Sequence, residues 1–291
     1  MAEYTPLYID GHKLVALGLN LHLAGSPIIL LHGITQSIEY WRTDPVFSRL
    51  GPCYAISLPG HFPAQFPANF DHSELSEELI GRLLVRAIRQ LVGNKRITIV
   101  GFSTGGFSAL TLAALIPQQI ERIICIAGFS RGKWNGILGL AQFGSRLGWA
   151  GQLVTRGIIK LLFSNLFFYQ FSQYMAMGAI WNRRSKSVFR EMLDNTFPNA
   201  KSIEVDSMMA YFEMMPDIDI SHLFSHIRVP TFVLTGDKDP IVPPTESYQL
   251  SYKLPQAKLV VLPGAGHLVA MEYPHEYQTA LQHSLSARPT H

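Results

Sequence analysis

A serine flanked by glycines follows an apolar run near the middle of the chain. Residues 97–100 predict a buried strand, and Gly101-Phe102-Ser103-Thr104-Gly105-Gly106 comes directly after it. An apolar helical pattern then occupies residues 107–116. A tight bend between strand and helix holds a serine at positive φ with its hydroxyl exposed, and side chains two residues before and after it would collide. Glycine at both positions therefore predicts a nucleophilic serine.

Four other motifs follow predicted strands. In chain order they are His32-Gly33-Ile34, Leu58-Pro59-Gly60-His61, Gly236-Asp237-Lys238-Asp239-Pro240-Ile241-Val242-Pro243 and Gly264-Ala265-Gly266-His267. Together with the Ser103 turn, these motifs resemble those of the α/β-hydrolase superfamily, in the order that the family uses. The resemblance covers nearly the whole chain outside residues 131–225 and implies a serine-nucleophile esterase or a related C–C hydrolase with a helical cap.

The resemblance implies a role for each matching position. Ser103 would be the nucleophile and His267 the base that accepts its proton. Asp239 would orient the imidazole and stabilise its cation. Acyl transfer also needs donors for the oxygen that becomes negative, and the resemblance assigns the backbone N–H groups of Ile34 and Thr104 to this oxyanion hole.

Other residues compete for some of these roles. Asp237 is the alternative acid, and Asp239 is preferred because in similar sequences of the family the acid is the aspartate just before a turn like Pro-Ile-Val-Pro. Asp217 and Asp219 precede the strand and are disfavoured. His222 and His226 have the i, i+4 spacing of metal ligands, but no Glu or Cys accompanies them in a ligand pattern. The sequence therefore predicts neither a metal site nor a cofactor.

The elements that position these motifs alternate between strand and helix. Apolar runs at residues 27–31, 54–58, 97–100, 123–127, 230–235 and 258–262 predict strands, and residues 73–91 predict a helix capped by Ser73. This alternation predicts a mostly parallel sheet with helices on both faces. The alternation is absent between about 131 and 225, so we expect a core of residues 1–130 and 226–291 with residues 131–225 inserted as a helical cap.

Composition and charge exclude several classes. The 291 residues, 47% of them hydrophobic and 15% charged, indicate a globular protein. A net charge of +3 does not suggest a nucleic-acid partner. Cys53 and Cys125 are expected to be free buried thiols, and the N-terminus lacks a signal-peptide pattern, so a cytoplasmic protein is expected. Residues 161–182 are uncharged but contain too many polar side chains to favour a membrane span.

The inserted segment gives the only indication of substrate. It is rich in aromatic residues and Met, from Trp134 to Trp181, which predicts either a roof over an apolar pocket or the segment's own core. Between Arg131 and Lys201, ten basic residues oppose two acidic ones. Because acidic residues dominate residues 202–227, local ion pairs are the favoured interpretation of this excess, and contact with a membrane surface is the less favoured one.

These observations predict a serine hydrolase that cleaves a hydrophobic carboxylic ester or thioester through an acyl-enzyme. Its partner would be a small hydrophobic acyl substrate. A C–C bond hydrolase of a dienoic diketone would use the same triad, although Phe102 stands where such enzymes often have Asn. A ligand receptor that keeps the fold without the chemistry is the alternative from a different class.

Overall fold

The chain folds around one eight-stranded sheet. The structure is a computed structural model that describes residues 3–178 and 183–286. Its strands are β1 (Glu3–Ile9), β2 (His12–Leu19), β3 (Ile28–Leu31), β4 (Cys53–Ile56), β5 (Ile97–Phe102), β6 (Ile120–Ile126), β7 (Thr231–Gly236) and β8 (Ala257–Leu262). They lie in the order β1-β2-β4-β3-β5-β6-β7-β8, and every pairing from β4 to β8 is parallel.

The described helices connect or flank these strands. They are α1 (Glu77–Val92), α2 (Thr104–Leu115), α3 (Gly136–Ser145), α4 (Gly148–Leu162), α5 (Leu166–Tyr174), α6 (Arg183–Ala200), α7 (Val205–Met214), α8 (Pro244–Lys253), α9 (Val269–Glu272) and α10 (Pro274–Ser286). All six residues of β5 are buried. Because successive strand residues point to opposite faces, both faces of the sheet are covered there. The predicted fold class is confirmed.

Two strands at the start of the chain were absent from the predicted set. β1 and β2 pair antiparallel, and β2 pairs antiparallel with β4. Asp10 and Gly11 join β1 to β2, and both have positive φ, 49° and 81°. An Asp-Gly pair with positive φ at both positions forms the tight turn that matches the twist of a hairpin.

The start of α1 differs from the prediction by one turn. Ser73 lies in a separate 3-10 turn, where its backbone N–H donates to Asp71. Ser76 is the N-cap of α1, and its Oγ accepts a hydrogen bond from the Leu79 N–H at 3.2 Å. Glu77 and Glu78 follow in the first turn, where the helix dipole favours negative charge. The prediction that Ser73 caps this helix is therefore wrong.

Helices α3 to α7 lie between β6 and β7. The uncharged segment 161–182 contains the end of α4 and all of α5, with Phe163 to Asn165 separating the two helices, and its last four residues lie outside the described ranges. No helix in the described ranges is long and apolar enough to cross a membrane. The limits of a cap at 131–225 and the cytoplasmic location stay predictions.

Candidate active site

Ser103 occupies a strained bend between β5 and α2. Its backbone has φ 54° and ψ −116°, a conformation that L-residues rarely adopt. A Cβ at Gly101 would lie 2.1 Å from the carbonyl oxygen of Gly105, and a Cβ at Gly105 would lie 2.2 Å from that of Leu31. Glycine at these two positions is thus a steric requirement of the bend.

Three side chains form a continuous hydrogen-bonded chain at the carboxyl edge of the sheet. Ser103 Oγ lies 3.0 Å from His267 Nε2, and His267 Nδ1 lies 2.7 Å from Asp239 Oδ2. Because a carboxylate can only accept, Nδ1 carries the proton and Nε2 is left to accept from the serine hydroxyl. The three residues follow β5, β8 and β7, and at most 7% of any of them is exposed.

Asp239 and Asp237 have different partners. The second oxygen of Asp239, Oδ1, accepts hydrogen bonds from the backbone N–H groups of Ile241 and Val242 at 2.8 and 2.9 Å. Asp237 Oδ1 instead accepts from the backbone N–H of Gly264 at 2.6 Å, which ties the loop after β7 to the loop after β8. The structure therefore brings Asp239, and not Asp237, to the imidazole.

The other candidate acids lie outside this cluster. Asp217 pairs with Arg146 of the segment after α3, and Asp206 pairs with Arg156 of α4. Asp219 accepts from the Ser221 N–H at 2.8 Å. The expected pairing between the basic and acidic segments is present at Arg146 and Arg156.

Within residues 3–178 and 183–286, no group of three His, Cys, Asp or Glu side chains is placed to hold a metal ion.

The loop after β3 lies against the serine. A Cβ at Gly33 would come within 3.2 Å of Ser103 Cβ. His32 fixes this loop, because its Nδ1 donates to the Gly33 carbonyl at 2.8 Å and its Nε2 accepts from the Leu58 N–H at 3.1 Å. The next backbone N–H, that of Ile34, has no hydrogen-bond partner in the part of the chain that the structure describes.

The N-terminus of α2 supplies a second unused donor. The Thr104 N–H belongs to the first turn of this helix, where no preceding carbonyl can accept it. It likewise has no partner among the described residues. The positive end of the helix dipole lies at the same point. Ile34 and Ser103 both line one cavity, and Thr104 directly follows the serine.

Two buried neutral histidines support the loops after β3 and β4. Burial, with His61 beside it, lowers the pKa of His32 to about 3, and burial lowers the pKa of His61 to about 4. The His61 ring contacts the ring of Tyr211 on α7 at 4.7 Å between centroids, and both side chains hydrogen-bond to the Pro59 carbonyl. The loops after β3 and β4 are therefore linked to α7.

These pKa values predict that acid destabilises the fold. An unfolded histidine titrates near pH 6.5, so below that pH the unfolded chain binds more protons than the folded one. The stability contribution is complete above about pH 6.5 and is lost as the pH falls towards the folded values, with a slope of up to about 1.4 kcal/mol per pH unit for each histidine. The free energy of unfolding, measured by urea titration at several pH values, should fall less steeply between about pH 7 and about pH 5 for His61→Asn than for the wild type.

The matched control for this prediction is His22→Asn. His22 is exposed, so its replacement should keep the wild-type slope. In His61→Asn, the new side-chain amide can still donate from the position that Nδ1 occupies, so the hydrogen bond to Pro59 is kept. Identical slopes in wild type and His61→Asn would contradict the prediction.

The loop that carries His267 is held by residues of the segment after α5. The His267 N–H donates to the Ala176 carbonyl at 2.9 Å. Glu272 Oε2 accepts from the N–H groups of Gly178 and Gly266 at 2.7 and 3.0 Å. Burial raises the pKa of the Glu272 carboxyl. Sequence reasoning missed this connection, because it joins backbone groups distant in the chain.

An apolar cavity of about 170 Å³ opens above the serine. Helices α3, α4, α5 and α7 together contribute about half of its lining residues, including Ile137, Leu138, Ile159, Leu162 and Met208. The wall is therefore mainly aliphatic. Of the described aromatic residues from Trp134 to Tyr174, only Phe163 lines the cavity.

The remaining aromatic residues have two other locations. Trp134 and Tyr169 are buried in the packing between helices, as the alternative prediction of a core proposed. Phe143, Trp149 and Phe167 are exposed, which neither prediction anticipated. Trp181 lies outside the described residues.

A polar cluster at one end of the cavity was also missed. Gln36 Nε2 donates to Gln173 Oε1 at 2.8 Å, and both residues line the cavity. Tyr169 donates to Gln36 Oε1 at 3.4 Å and lies 2.9 Å from the Thr196 hydroxyl. These hydrogen bonds connect the loop after β3 to α5 and α6. No local pattern in the sequence identifies such long-range pairs.

Comparisons with known proteins agree with this architecture. The pimeloyl-[acyl-carrier protein] methyl ester esterase of Photobacterium profundum is 22% identical over 266 residues, which cover 89% of this chain and 94% of that protein. A dihydrolipoyllysine-residue acetyltransferase component of the acetoin cleaving system of Pseudomonas putida is 28% identical over 257 residues. That match covers 85% of this chain but only 60% of the relative.

Solved structures and a family profile identify the fold. MGS-M2, an alpha/beta hydrolase enzyme from a Medee basin deep-sea metagenome library, superposes with a TM-score of 0.77 at 17% identity and covers 99% of both chains. The sequence profile of the alpha/beta hydrolase fold matches residues 26–274. The chain therefore belongs to the alpha/beta hydrolase fold family and is a hydrolase.

Proposed function

We propose that the protein is a serine hydrolase that cleaves a hydrophobic carboxylic ester or thioester through an acyl-enzyme intermediate. The observation that carries this proposal is the hydrogen-bonded chain from Ser103 through His267 to Asp239 at the base of an apolar cavity. The chain provides a nucleophile, a base and an orienting carboxylate in one place.

The reaction begins at the serine hydroxyl. As Ser103 Oγ attacks the substrate carbonyl carbon, its proton passes to His267 Nε2. The imidazolium formed is stabilised by Asp239, and it then protonates the departing alcohol or thiol. Water next transfers a proton to the same nitrogen as it attacks the acyl-serine, and the returned proton restores the Ser103 hydroxyl as the carboxylic acid leaves.

The backbone N–H groups of Ile34 and Thr104 form the oxyanion hole in this mechanism. Neither donor needs to break an existing hydrogen bond in the described structure before it binds the developing negative charge. A preorganised donor of this kind contributes about 3 kcal/mol to lowering the barrier. The buried neutral His32 positions the Ile34 amide by holding the adjacent Gly33 carbonyl.

The apolar lining of the cavity supports a substrate whose acyl group is apolar and larger than its leaving group. Its walls come mainly from helices within residues 131–225, which we regard as the cap that selects the substrate. The relative from Photobacterium profundum is named as an esterase of a methyl ester, which supports ester hydrolysis here. Gln36 and Gln173 are the polar groups available to a substrate at one end of the cavity.

Trapping the intermediate tests this proposal directly. Protein that is acid-quenched during turnover of p-nitrophenyl hexanoate should carry one acyl group, located by peptide mass spectrometry on Ser103. A fluorophosphonate probe should label the same residue. Release of p-nitrophenol without any covalent adduct would contradict the acyl-enzyme route, and absence of both turnover and labelling would favour the receptor alternative.

A further inference from the structure

Helices α3 to α5 expose a large apolar surface. Thirteen of the twenty large hydrophobic side chains that are exposed in the described structure lie between Leu140 and Met175. We call them the outer apolar surface. The most exposed of its aromatic members are Trp149 (81%), Phe167 (73%) and Phe143 (64%). Scattered exposed hydrophobic residues are normal, but a concentration on three successive helices indicates a contact site.

The helix α4 is apolar on two sides. Its Ile159 and Leu162 line the cavity above the serine, whereas Leu153 and Val154 are 63% and 62% exposed. A helix that packs on a core through one face ordinarily has a polar opposite face. The outer side of α4 therefore has the composition of a buried surface without being covered by the described part of this chain.

The cavity opens within the outer apolar surface. Leu140 and Ile158 belong to the cavity lining, yet they are 71% and 50% exposed. An apolar molecule that lies on this surface can thus enter the cavity without crossing a polar boundary. A second copy of the chain seated on the same surface would cover the opening, so the geometry disfavours self-association as the reason for it.

The charged residues of the segment that carries this surface are positive. No residue from 131 to 190 is acidic. Arg146 and Arg156 are paired with acidic residues near α7. Lys160 at the end of α4 and Arg190 on α6 are exposed, and neither has an ion-pair partner among the described residues. Apolar side chains flanked by basic ones match the acyl and headgroup layers of an anionic lipid surface.

We infer that the outer apolar surface docks on a lipid surface that contains anionic headgroups. Docking places the cavity opening against the acyl layer, so apolar esters reach Ser103 from the lipid and not from water. Docking itself is independent of the proposed chemistry and is tested by binding alone. The delivery of esters to Ser103 rests on the proposed function.

Vesicle flotation tests the inference. The protein should float with vesicles of phosphatidylcholine and phosphatidylglycerol. The triple variant Phe143→Ser, Trp149→Ser, Leu153→Ser should bind at least roughly tenfold more weakly, because it removes three apolar groups from the contact. None of these three side chains lines the cavity, and a circular dichroism spectrum and thermal midpoint like those of wild type should show that the variant is folded.

A matched control replaces exposed hydrophobic residues elsewhere. Tyr8, Leu115 and Tyr252 are 68%, 51% and 90% exposed and lie on β1, α2 and α8. Their joint replacement by Ser should leave flotation at the wild-type level. Equal flotation of the two triple variants would overturn the inference. Absence of wild-type flotation would also overturn it. If sedimentation then showed a dimer that the first triple variant loses, the surface would be an interface between two copies of the chain.

Charge and fluorescence give two further readouts. Lys160→Gln with Arg190→Gln should weaken flotation with phosphatidylglycerol vesicles but leave the weaker binding to phosphatidylcholine unchanged, and added salt should act in the same way. Unchanged binding to the anionic vesicles would overturn the electrostatic part.

Trp149 emission should shift to shorter wavelength on binding, and this shift should be lost in Trp149→Phe. A shift that persists in that variant would count against contact through α4.

Discussion

Ser103→Ala should reduce kcat/KM for p-nitrophenyl esters by a factor on the order of 10⁶, close to complete loss. The replacement removes the one oxygen within hydrogen-bond distance of His267 Nε2 in the described structure. His267 and Asp239 then have no nucleophile to activate, and what remains is the weak contribution of the oxyanion donors and substrate binding. Steady-state kinetics with a fluorophosphonate-labelling assay on the same samples measures this effect.

The substitution should leave the fold intact. The Ser103 backbone N–H donates to the Ile126 carbonyl at 2.8 Å, and its carbonyl accepts from Gly106 and Phe107, so the bend does not depend on the hydroxyl. The matched control is Ser108→Ala one turn further along α2. The Ser108 hydroxyl donates to the Thr104 carbonyl and is buried, yet it lies outside the hydrogen-bonded chain. Ser108→Ala should keep kcat/KM within about tenfold of the wild-type value. Retention of full activity by Ser103→Ala would refute the proposed mechanism.

The site could be anticipated from the sequence because each of its parts is local. The Ser103 bend needs glycine on both sides for steric reasons that a short motif records. The ends of β7 and β8 place Asp239 and His267 at the same edge of the sheet, as parallel strands must. The choice between Asp237 and Asp239 followed from the turn after Asp239, in which the backbone N–H groups of Ile241 and Val242 donate to Asp239 in the structure.

Other features depended on contacts that a linear pattern does not contain. The hairpin of β1 and β2 was missed although Asp10-Gly11 is a turn signal, because β1 is half exposed and lacks the continuous apolar run that predicts a buried parallel strand. The hydrogen bonds from Gln36 to Gln173 and from Gly178 to Glu272 join distant segments. Whether an apolar helix faces a core or solvent is likewise undetermined when both of its sides are apolar, as in α4.

Asp239→Asn should lower kcat by a factor on the order of 10⁴ while KM changes little. Asp239 Oδ1 accepts from two backbone N–H groups, so an Asn at this position would keep its carbonyl oxygen there. Its NH₂ group would then face His267 Nδ1. Two donors cannot share that hydrogen bond, so the imidazole proton moves to Nε2, which can no longer accept from Ser103.

Asp237→Asn separates this mechanism from a general effect of removing a negative charge. The substitution deletes a carboxylate two residues away, but an Asn oxygen can still accept from the Gly264 N–H. We expect less than about tenfold loss of kcat, because the tautomer of His267 is unaffected. Similar losses of kcat in Asp237→Asn and Asp239→Asn would show that nearby negative charge, and not one hydrogen bond, sets the catalytic state of His267. A loss confined to Asp239→Asn across the pH range would show that the hydrogen bond from His267 Nδ1 to Asp239 determines which nitrogen carries the proton.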